Sequence, residues 1–599
     1  MKPICIRRRD ATTAAHVWPA DLHPVLARVF AARGLAPADV VKMRLVDLLA
    51  PSALGGVERA CSLLAAAIAA DERICVVGDF DCDGATGTAV AVRGLRMLGA
   101  RHVVYRVPNR FRDGYGLSAN LVDALAGAQA PQLIVTVDNG IASHAGVAAA
   151  RACDIRVIVT DHHLPGAALP DADAIVNPNL AGDGFPSKAL AGVGVMFYLL
   201  LALRAHLRTN GVFSARGVVE PDLSVLLDLV ALGTVADLVP LDANNRILVE
   251  AGLRRIRAGR CCAGVRALYG AAGRDMTRAV ASDLGFALAP RINAAGRLDD
   301  MGLGIECLLA DDAARANGLA ERLSAINHER QDLQAAMVEQ AEATIAAFID
   351  RHRDGDALPH GIVVYQPDWH PGVVGLVASK LKERLHRPVV ACAPASVEQY
   401  GQGGTLRDPG AADVHTGSVE LRASARSIGG FHLRDALAEI DAMCPGLIAQ
   451  FGGHAMAAGL TLHAADLPRF AAEFDAVARR RLDAEALERF AWSDGELDPA
   501  DLTAETAGVL RYAAPWGQAF AEPAFDNVFE VESWRAVGER HLGMRLRIVE
   551  RADVLDAIMF NALEMMPPPP RLRALYQLGL DNWNGRDRLQ LLVRHIEAI

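Results

Sequence analysis

The sequence contains few cysteines, and none stands in the pattern that a zinc ribbon or a disulfide framework requires. Ten cysteines occur in 599 residues, no CxxC pair exists, and Cys261 and Cys262 are simply adjacent. Zinc ribbons hold their metal with closely spaced thiolate pairs, and disulfide-stapled domains use cysteine far more densely. The pattern argues against both classes and predicts reduced thiols in the core.

Long apolar runs are also missing. The longest nearly uncharged run, ALAGVGVMFYLLLAL at 189–203, falls short of the roughly 20 residues that a membrane-spanning helix needs and is typical of a buried helix. The N-terminal stretch MKPICIRRRD is basic, but it is not followed by the apolar segment of a signal peptide. We therefore expect a soluble, cytoplasmic protein without membrane association.

The chain has no excess of positive charge. Its formal net charge is −10, which argues against a broad basic surface that coats duplex nucleic acid but leaves room for a narrow basic groove. No internal repeat of fixed period is visible. The length of 599 residues is too great for one hydrophobic core and predicts three or four domains.

Residues 74 to about 240 alternate short apolar runs with helical stretches. The runs are ICVV (74–77), HVVYRV (102–107), LIVTV (133–137) and VIVT (157–160). Continuous apolar runs between helices predict parallel strands that are buried on both faces of a sheet.

Three further patterns follow downstream. Residues 311–350 contain no proline and a single glycine, Gly318, which predicts a long amphipathic helix that joins two domains. A second α/β pattern runs from GIVVYQ (361–366) to GGHAMAAGL (452–460). Short alternating strands after about residue 525 predict a small β-barrel.

Acidic residues and histidines gather where four of the regular segments end. Asp79, Asp81 and Asp83 follow ICVV, Asp138 follows LIVTV, Asp161, His162 and His163 follow VIVT, and Asp237 ends the helical stretch LVALGTVAD. Ligands of open parallel sheets bind outside the carboxyl ends of the strands. Three of these groups therefore belong to one edge of one sheet, and the fourth reaches it from a helix.

Each group alone has a simpler interpretation. A single acidic turn is usually solvated, TVDNG is a turn signal, and a pair of histidines is more often a surface or capping pair. DFDCDG matches the start of an EF-hand loop, but Val90 stands where the loop needs glutamate. The coincidence of four groups in one domain favours a metal site instead.

The donor set also narrows the metal. Carboxylate and imidazole ligands without thiolate suit Mn²⁺ or Mg²⁺ better than structural zinc. Enough carboxylates are present for two ions that share a bridging carboxylate. Two ions roughly 3.5–4 Å apart stabilise both the attacking and the leaving oxygen of a phosphoryl displacement.

In chain order, GDFDCDG, TVDNG, DHH and LGTVADL resemble the four motifs of the DHH phosphoesterase superfamily. Farther on, GFALAPRINAAGRL (285–298), WHPGVVGLVASKL (369–381), SARSIGGFHLRDAL (424–437) and FGGHAMAAGL (451–460) resemble its RecJ branch. The resemblance extends from about residue 70 to the final barrel.

The resemblance implies an α/β protein in which a parallel-sheet DHH catalytic domain is joined by a long helix to a second α/β domain, DHHA1, and then to an OB-fold β-barrel. We expect an N-terminal segment packed on the catalytic domain at 1–69, the DHH domain at 70–310, the connecting helix at 311–352, the DHHA1 domain at 353–465, and a helical lead-in with the OB-fold at 466–599.

The same resemblance implies a single-stranded-DNA exonuclease that releases nucleotides from the 5′ end, with Mn²⁺ or Mg²⁺ and two ions, in DNA repair and recombination including mismatch repair. The implied metal ligands are Asp79, Asp81, Asp83, Asp138, His162 and Asp237, with Asp138 as the bridge. His163 is implied to contact the scissile phosphate. Asp161 is implied to orient a histidine ring without binding the metal itself.

Twelve residues are candidates for binding the strand: Arg110, Arg112, Tyr115, Arg291, Asn293, Arg297, Ser424, Arg426, Ser427, Gly452, Gly453 and His454. Arginine forks suit phosphate, aromatic rings stack on bases, and glycine-rich turns expose backbone N–H groups. Solvated loops and ordinary glycine turns are the alternatives. In the barrel, Phe529, Trp534 and Arg540 form either a stacking face or part of a packed core.

Single-stranded DNA, a single-strand-binding protein and a helicase are the implied partners, and a monomer is expected. Two other functions compete. A DHH phosphodiesterase for very short or cyclic oligonucleotides needs no third domain, and a non-catalytic scaffold should have lost metal ligands, whereas every motif carboxylate and histidine is present.

Overall fold

The computed structural model describes residues 4–9, 17–41, 43–108, 116–125, 127, 129–166, 168–351, 359–395, 419–548, 553–583 and 586–599. The chain divides into two compact units. The larger unit comprises residues 8–327 and 492–599, and the smaller unit comprises residues 1–7 and 328–491.

A five-stranded parallel sheet forms the centre of the larger unit. In spatial order its strands are Val103–Arg106, Ile74–Val77, Leu133–Val137, Arg156–Thr160 and Ala174–Val176, and every neighbouring pair is parallel. All residues of Ile74–Val77 and Leu133–Val137 are buried, as expected of strands covered on both faces. The predicted parallel sheet is confirmed, and the edge strand Ala174–Val176 is an addition that the sequence did not indicate.

In the described part of the larger unit, the α-helices other than Ala313–Arg351 are Pro24–Ala32, Pro37–Val41, Val57–Ala69, Cys82–Met97, Ala119–Leu125, His144–Ala152, Gly192–Thr209, Val212–Arg216, Leu227–Ala236, Ala243–Arg257, Ala263–Ala271, Ala281–Asp283, Ala289–Leu298, Gly302–Leu309 and Ala504–Tyr512. The apolar run at 189–203 contributes most of Gly192–Thr209, whose first nine residues are all buried. Among the described residues no single helix has both the length and the apolar character to cross a bilayer; the bent pair Leu45–Ala53 and Val57–Ala69 meets both criteria only when the two are taken together.

One long helix, Ala313–Arg351, contributes to the cores of both units. Ala316, Ala320 and Leu323 are buried in the core of the larger unit, whereas Met337 and Ala341 are buried in a core of the smaller unit. The amphipathic helix expected from the uninterrupted pattern is therefore present.

The smaller unit contains a mixed five-stranded sheet. Its spatial order is Gln450–Gly453, Ala457–His463, Glu420–Arg426, Val389–Pro394 and Ile362–Tyr365. Only the last pair is parallel. The helices are Val374–Leu385, Leu433–Met443 and Leu467–Arg481.

The smaller unit extends beyond the boundary at residue 465 that we expected from the sequence. Phe470 and Phe474 of the helix Leu467–Arg481 are fully buried in the same core as the strands Glu420–Arg426 and Ala457–His463. The apolar face of this helix thus has its partner in the mixed sheet, and the unit continues to Ala491.

A closed five-stranded barrel ends the chain. Its strands are Phe525–Val537, His541–Ile548, Val554–Met559, Arg571–Trp583 and Arg586–Ala598. Phe529 is fully buried and packs edge-on against Tyr576 at 5.7 Å between ring centroids. A stacking role for Phe529 is therefore wrong, because its ring fills the barrel, whereas Trp534 is 44% exposed.

A buried carboxylate ties the N-terminal segment to this barrel. Asp526, on the first barrel strand, is fully buried and accepts hydrogen bonds from Nη2 of Arg8 at 2.7 Å, from Nε of Arg573 at 2.8 Å and from the hydroxyl of Ser493. Burial opposes ionisation of Asp526, but these hydrogen bonds outweigh it and hold its pKa below the usual value.

We expect the substitution Asp526→Ala to lower the free energy of unfolding by about 3 kcal/mol, because it leaves two guanidinium groups without their buried partner. Chemical denaturation at neutral pH measures this. Since the pKa is lowered in the folded state, the contribution is present above the unfolded pKa of about 3.9 and disappears as the pH falls through the folded value.

The matched control is Asp587→Ala, which removes an exposed partner of Arg278. An exposed ion pair contributes roughly 1 kcal/mol or less. Equal losses in the two variants would show that Asp526 has no special structural role.

Candidate metal centre

The predicted carboxylates and histidines meet at the carboxyl edge of the parallel sheet. Three overlapping sets have ligand atoms within 4.8 Å of one another: Asp79, Asp81 and Asp138; Asp83, His162 and Asp237; and Asp138, His162 and His163. Asp138 and His162 each belong to two of these sets. The structure therefore brings together every residue that the sequence proposes as a metal ligand.

The acidic loop after the first strand is fixed by two helix N-termini. Asp81 caps the helix Cys82–Met97, and its Oδ1 accepts the N–H of Gly84 at 2.9 Å. The two oxygens of Asp83 accept the N–H groups of Gly192 at 2.6 Å and Val193 at 2.9 Å, at the start of the helix Gly192–Thr209. The positive end of a helix is a favourable place for a carboxylate.

Asp138 occupies a tight turn. Its φ of 63° is in the left-handed region, which aspartate tolerates better than most residues. The side chain of Asn139 donates to the carbonyls of Val77 at 3.0 Å and Val137 at 2.9 Å, which joins the ends of two strands. A Cβ on Gly192 would lie 2.4 Å from the Cβ of Asp138, so only glycine allows this approach.

Asp161 organises the DHH segment. Its carboxylate accepts the backbone N–H groups of Ile141 at 2.9 Å, His162 at 2.7 Å and His163 at 3.0 Å. The Nδ1 of His163 lies 2.8 Å from Oδ1 of Asp161 and donates to it, because a carboxylate oxygen accepts. This is the contact expected of a residue that orients an imidazole.

Burial opposes the charge of both Asp161 and His163, and the hydrogen bond between them together with the neighbouring charges outweighs its effect on both pKa values. Burial alone would raise the pKa of Asp161, but the hydrogen bond and the charges of both histidines lower it to about 2. Burial likewise opposes the charge of His163, yet the hydrogen bond and the surrounding carboxylates raise its pKa to about 9.

Asp237 reaches the site from the C-terminus of the helix Leu227–Ala236. Gly233 permits close packing of this helix, because a Cβ there would lie 2.1 Å from Oγ1 of Thr86. The Nε2 of His162 lies 3.5 Å from Oδ2 of Asp237 and 3.0 Å from Oδ1 of Asp138.

The electrostatics of the cluster favour divalent cations. Burial, followed by repulsion from neighbouring carboxylates, raises the pKa of Asp83 to about 8 and that of Asp138 well above its usual value. The same two causes raise the pKa of Asp237 to about 8. Burial and the charge of His163 lower the pKa of His162, which favours the neutral imidazole that binds metals.

Two solvent-shielded atoms add to this argument. The Nε2 of His162 and the Oδ2 of Asp237 have no hydrogen-bond partner within the described part of the chain, because their mutual contact lacks hydrogen-bond geometry. Buried polar atoms normally have a partner. Hard carboxylate oxygens with one imidazole fit Mn²⁺ or Mg²⁺, so the residues present suit the predicted ions.

Two residues of the motif at 285–298 support the acidic loop, a role that sequence reasoning missed. The Oδ1 of Asn293 accepts the N–H of Cys82 at 2.7 Å, and a Cβ on Gly296 would lie 1.9 Å from the carbonyl oxygen of Phe80. Asn293 was expected to bind the strand, but its side-chain oxygen holds the loop that carries Asp81 and Asp83. Their spacing of three places them on one face of a helix, but nothing in that spacing indicates which loop they contact.

The other strand-binding candidates of the larger unit differ in their surroundings. Arg291 is partly buried and donates to Oγ of Ser324 at 2.8 Å and to the carbonyl of Ala287, and Arg297 is partly exposed. The candidates Arg110, Arg112 and Tyr115 lie outside the described residues.

Candidates of the smaller unit lie on or beside two strands that a third strand separates. Gly452 pairs with Gly459, which in turn pairs with Ser424, while Gly453 ends the first of these strands and His454 follows it. A Cβ on Gly375 would lie 2.9 Å from Nη2 of Arg426 and 3.4 Å from Oγ of Ser424.

These two side chains therefore lie beside the start of the helix Val374–Leu385, where helix geometry favours anions. Ser427 differs from the other candidates, because it is 1% exposed and its hydroxyl donates to the carbonyl of Phe431 at 2.6 Å.

Comparison with known proteins identifies three domain families along the chain. Residues 73–234 match the DHH family, N-terminal domain, residues 359–480 match the DHHA1 domain, and residues 493–595 match the RecJ OB domain. The fold assigned to each segment agrees with these matches.

Two curated relatives are similar over nearly their whole length. The single-stranded-DNA-specific exonuclease RecJ of Dickeya dadantii is 50% identical over 99% of this chain and 98% of its own. The protein of the same name from Escherichia coli is 48% identical over 100% of this chain and 99% of its own.

A solved structure provides the third comparison. The crystal structure of RecJ from Thermus thermophilus in complex with Mn²⁺ is 31% identical, with a TM-score of 0.76, and the match covers 97% of this chain and 76% of that one. A second crystal structure of the same protein, with Mg²⁺, has a TM-score of 0.71.

We expect Gly192→Ala to weaken Mn²⁺ binding by roughly tenfold or more, because the added methyl group displaces Asp138 and changes of supporting residues commonly cost 10- to 100-fold in metal affinity. Titration calorimetry with Mn²⁺ measures the affinity, and circular dichroism confirms that the variant is folded.

The control is Gly194→Ala, two residues farther along the same helix. Its Cβ would meet only the flexible end of Leu190 at 3.2 Å, so its Mn²⁺ affinity should stay near the wild-type value. Equal weakening in both variants would mean that the effect is a general distortion of the helix.

Proposed function

The chain belongs to the RecJ family of DHH phosphoesterases, and we propose that it is a single-stranded-DNA-specific exonuclease that releases nucleotides from the 5′ end by two-metal-ion hydrolysis. The observation that carries the proposal is the convergence of seven motif side chains on one sheet edge. Near-complete similarity to two relatives named as such exonucleases supports it.

In this proposal, Asp79, Asp81 and Asp138 would hold one cation, and Asp83, His162 and Asp237 would hold the other, with Asp138 as the bridge that the family resemblance implies. Two bound ions supply an activated water and neutralise charge on the leaving oxygen. The helix N-termini that fix Asp81 and Asp83 keep their oxygens in place before the ions arrive, which limits the reorganisation that binding requires.

His163 is the proposed contact to the scissile phosphate. Asp161 holds its Nδ1, so the ring cannot turn freely and Nε2 is available to a phosphate oxygen. This assigns Asp161 a positioning role and His163 a direct one.

The strand itself requires binding groups away from the metal centre. We propose Arg297 and Arg291 in the larger unit and Ser424, Arg426, Gly452, Gly453 and His454 in the smaller unit, together with Arg110, Arg112 and Tyr115. The side chains of Ser424 and Arg426 beside a helix N-terminus support phosphate binding there.

The 5′ polarity, a monomeric state, a cytoplasmic location and a role in DNA repair and recombination, with a single-strand-binding protein and a helicase as partners, are proposed from the family resemblance. A phosphodiesterase for short or cyclic oligonucleotides is disfavoured by the additional domains, which a small substrate does not need. A scaffold without activity is disfavoured by the intact ligand set.

The test uses a long oligonucleotide labelled at either end, with Mn²⁺, with Mg²⁺ and with EDTA. We expect metal-dependent release of mononucleotides from the 5′ end only, and no reaction on a blunt duplex. Binding without hydrolysis in any condition would favour the scaffold, and faster turnover of a dinucleotide than of the long strand would favour the short-substrate enzyme.

We expect Asp138→Asn to reduce hydrolysis by about 1,000-fold or more, equivalent to about 4 kcal/mol of transition-state stabilisation, while single-strand binding is largely kept. Asparagine tolerates the left-handed backbone and has the same shape, so that only the charge is lost. Single-turnover kinetics and fluorescence anisotropy measure the two properties.

Asp154→Asn is the matched control. Asp154 is exposed and also has a left-handed φ, of 56°, so this variant makes the same chemical change at the same kind of backbone position. Activity lost in both variants, or strand binding lost together with activity in Asp138→Asn, would contradict the assignment of Asp138 as a ligand.

A further inference from the structure

A cavity of about 330 Å³ lies in the larger unit, apart from the metal centre. Arg9, Arg33 and Arg246 supply its charged lining together with Asp242, and Phe520 lies at its wall. Its volume is at the lower end of the range for small-molecule pockets, about 300–1,000 Å³. Three guanidinium groups around one small cavity are unusual unless an anion joins them.

Arg246 is the least compensated of the three. It is 6% exposed, its Nη1 donates to the carbonyl of Leu241 at 3.0 Å, and its guanidinium carbon lies 4.5 Å from the centre of the Phe520 ring. Throughout the described chain, no carboxylate oxygen lies within 4.0 Å of this guanidinium. A buried charge without an ionic partner is costly.

The nearby carboxylates already have partners. Asp494 accepts hydrogen bonds from Arg33 at 2.9 Å and lies 3.4 Å from Arg9. Asp242 accepts from the hydroxyl of Ser187 at 2.6 Å and from the N–H of Asn245 at 2.9 Å. The lining of the cavity itself thus holds three arginines and one carboxylate, Asp242, while Asp494 pairs with two of the arginines from outside the lining.

The pKa of Arg246 reflects the same imbalance. Burial lowers its pKa, and the through-space influence of Asp242 and Asp39 does not restore the usual value. An anion inside the cavity would supply the missing opposite charge.

We propose that this cavity binds a small phosphate-bearing anion, either inorganic phosphate or a nucleoside 5′-monophosphate. Guanidinium groups match phosphate oxygens through paired N–H donors. The proposal goes beyond the exonuclease activity, since hydrolysis at the metal centre does not require this site.

The occupant would touch the loop that carries a proposed metal ligand. Pro240, Leu241 and Asp242 line the cavity, and Asp237 precedes them by only a few residues. The site is therefore placed to sense a phosphate product or free phosphate next to the metal centre.

The experiment is isothermal titration of the full-length protein, in EDTA so that ions at the metal centre do not contribute, with inorganic phosphate and with thymidine 5′-monophosphate. The variants are Arg246→Met, Arg9→Gln at the more exposed rim, and Arg254→Gln, an exposed arginine on the same helix, as the control. Thermal unfolding checks that each variant is folded.

We expect saturable binding of at least one probe by the wild type and the control, at about millimolar concentration or below, and roughly tenfold or greater weakening in Arg246→Met. Tighter binding of the nucleotide identifies a nucleotide site, and equal binding identifies a phosphate site. If Arg246→Met does not fold, weakening in Arg9→Gln carries the same conclusion.

Failure of the wild type to bind either probe at this concentration would overturn the proposal, as would unchanged binding in a folded Arg246→Met variant. Because no hydrolysis is measured, these outcomes are independent of whether the chain is an exonuclease.

Discussion

Mutual repulsion among buried carboxylates is the constraint on which the larger unit depends. Asp83 and Asp138 are almost fully buried within reach of Asp237, and burial with repulsion raises the pKa of all three. Such a cluster is unfavourable in a folded protein unless hydrogen bonds and cations compensate for it. The helix N-terminus at Gly192 and Val193 supplies part of this compensation, and the ligand geometry leaves the remainder to divalent ions.

Close approach of backbone segments makes the cluster possible. Gly192, Gly233 and Gly296 each lie where a Cβ would collide with the loop or helix that carries an acidic residue. Asp161 shows how a different environment reverses the outcome at the same sheet edge. Three backbone N–H groups and His163 surround its carboxylate, and its pKa falls to about 2. Hydrogen bonds thus favour the charged form of Asp161, whereas burial and repulsion disfavour the charged forms of Asp83, Asp138 and Asp237.

Much of this arrangement follows from local sequence patterns. The strands Ile74–Val77 and Leu133–Val137 begin and end where the apolar runs do, because a strand buried on both faces needs an uninterrupted apolar run. The edge strand Ala174–Val176 lacks that signal because it is short, and the partner of the helix Leu467–Arg481 depends on tertiary packing. The support that Asn293 gives to Cys82 joins residues 211 positions apart, so no local pattern reveals it. Phe529 and Trp534 are both aromatic, and only the closed barrel separates a buried ring from an exposed one.

The loop between Asp237 and Asp242 separates two regions with opposite imbalances of charge. Carboxylates at one end favour cations, and Arg246 at the other end faces a cavity without a carboxylate within ion-pair distance in the described chain. Both ends of the loop are fixed, at one end by the helix Leu227–Ala236 and at the other by the cap that Asp242 provides for Ala243–Arg257. A ligand that prefers one position of this loop must, by linkage, change the affinity of the other site by the same factor in both directions. Because this connection is short, we expect binding at one site to influence binding at the other.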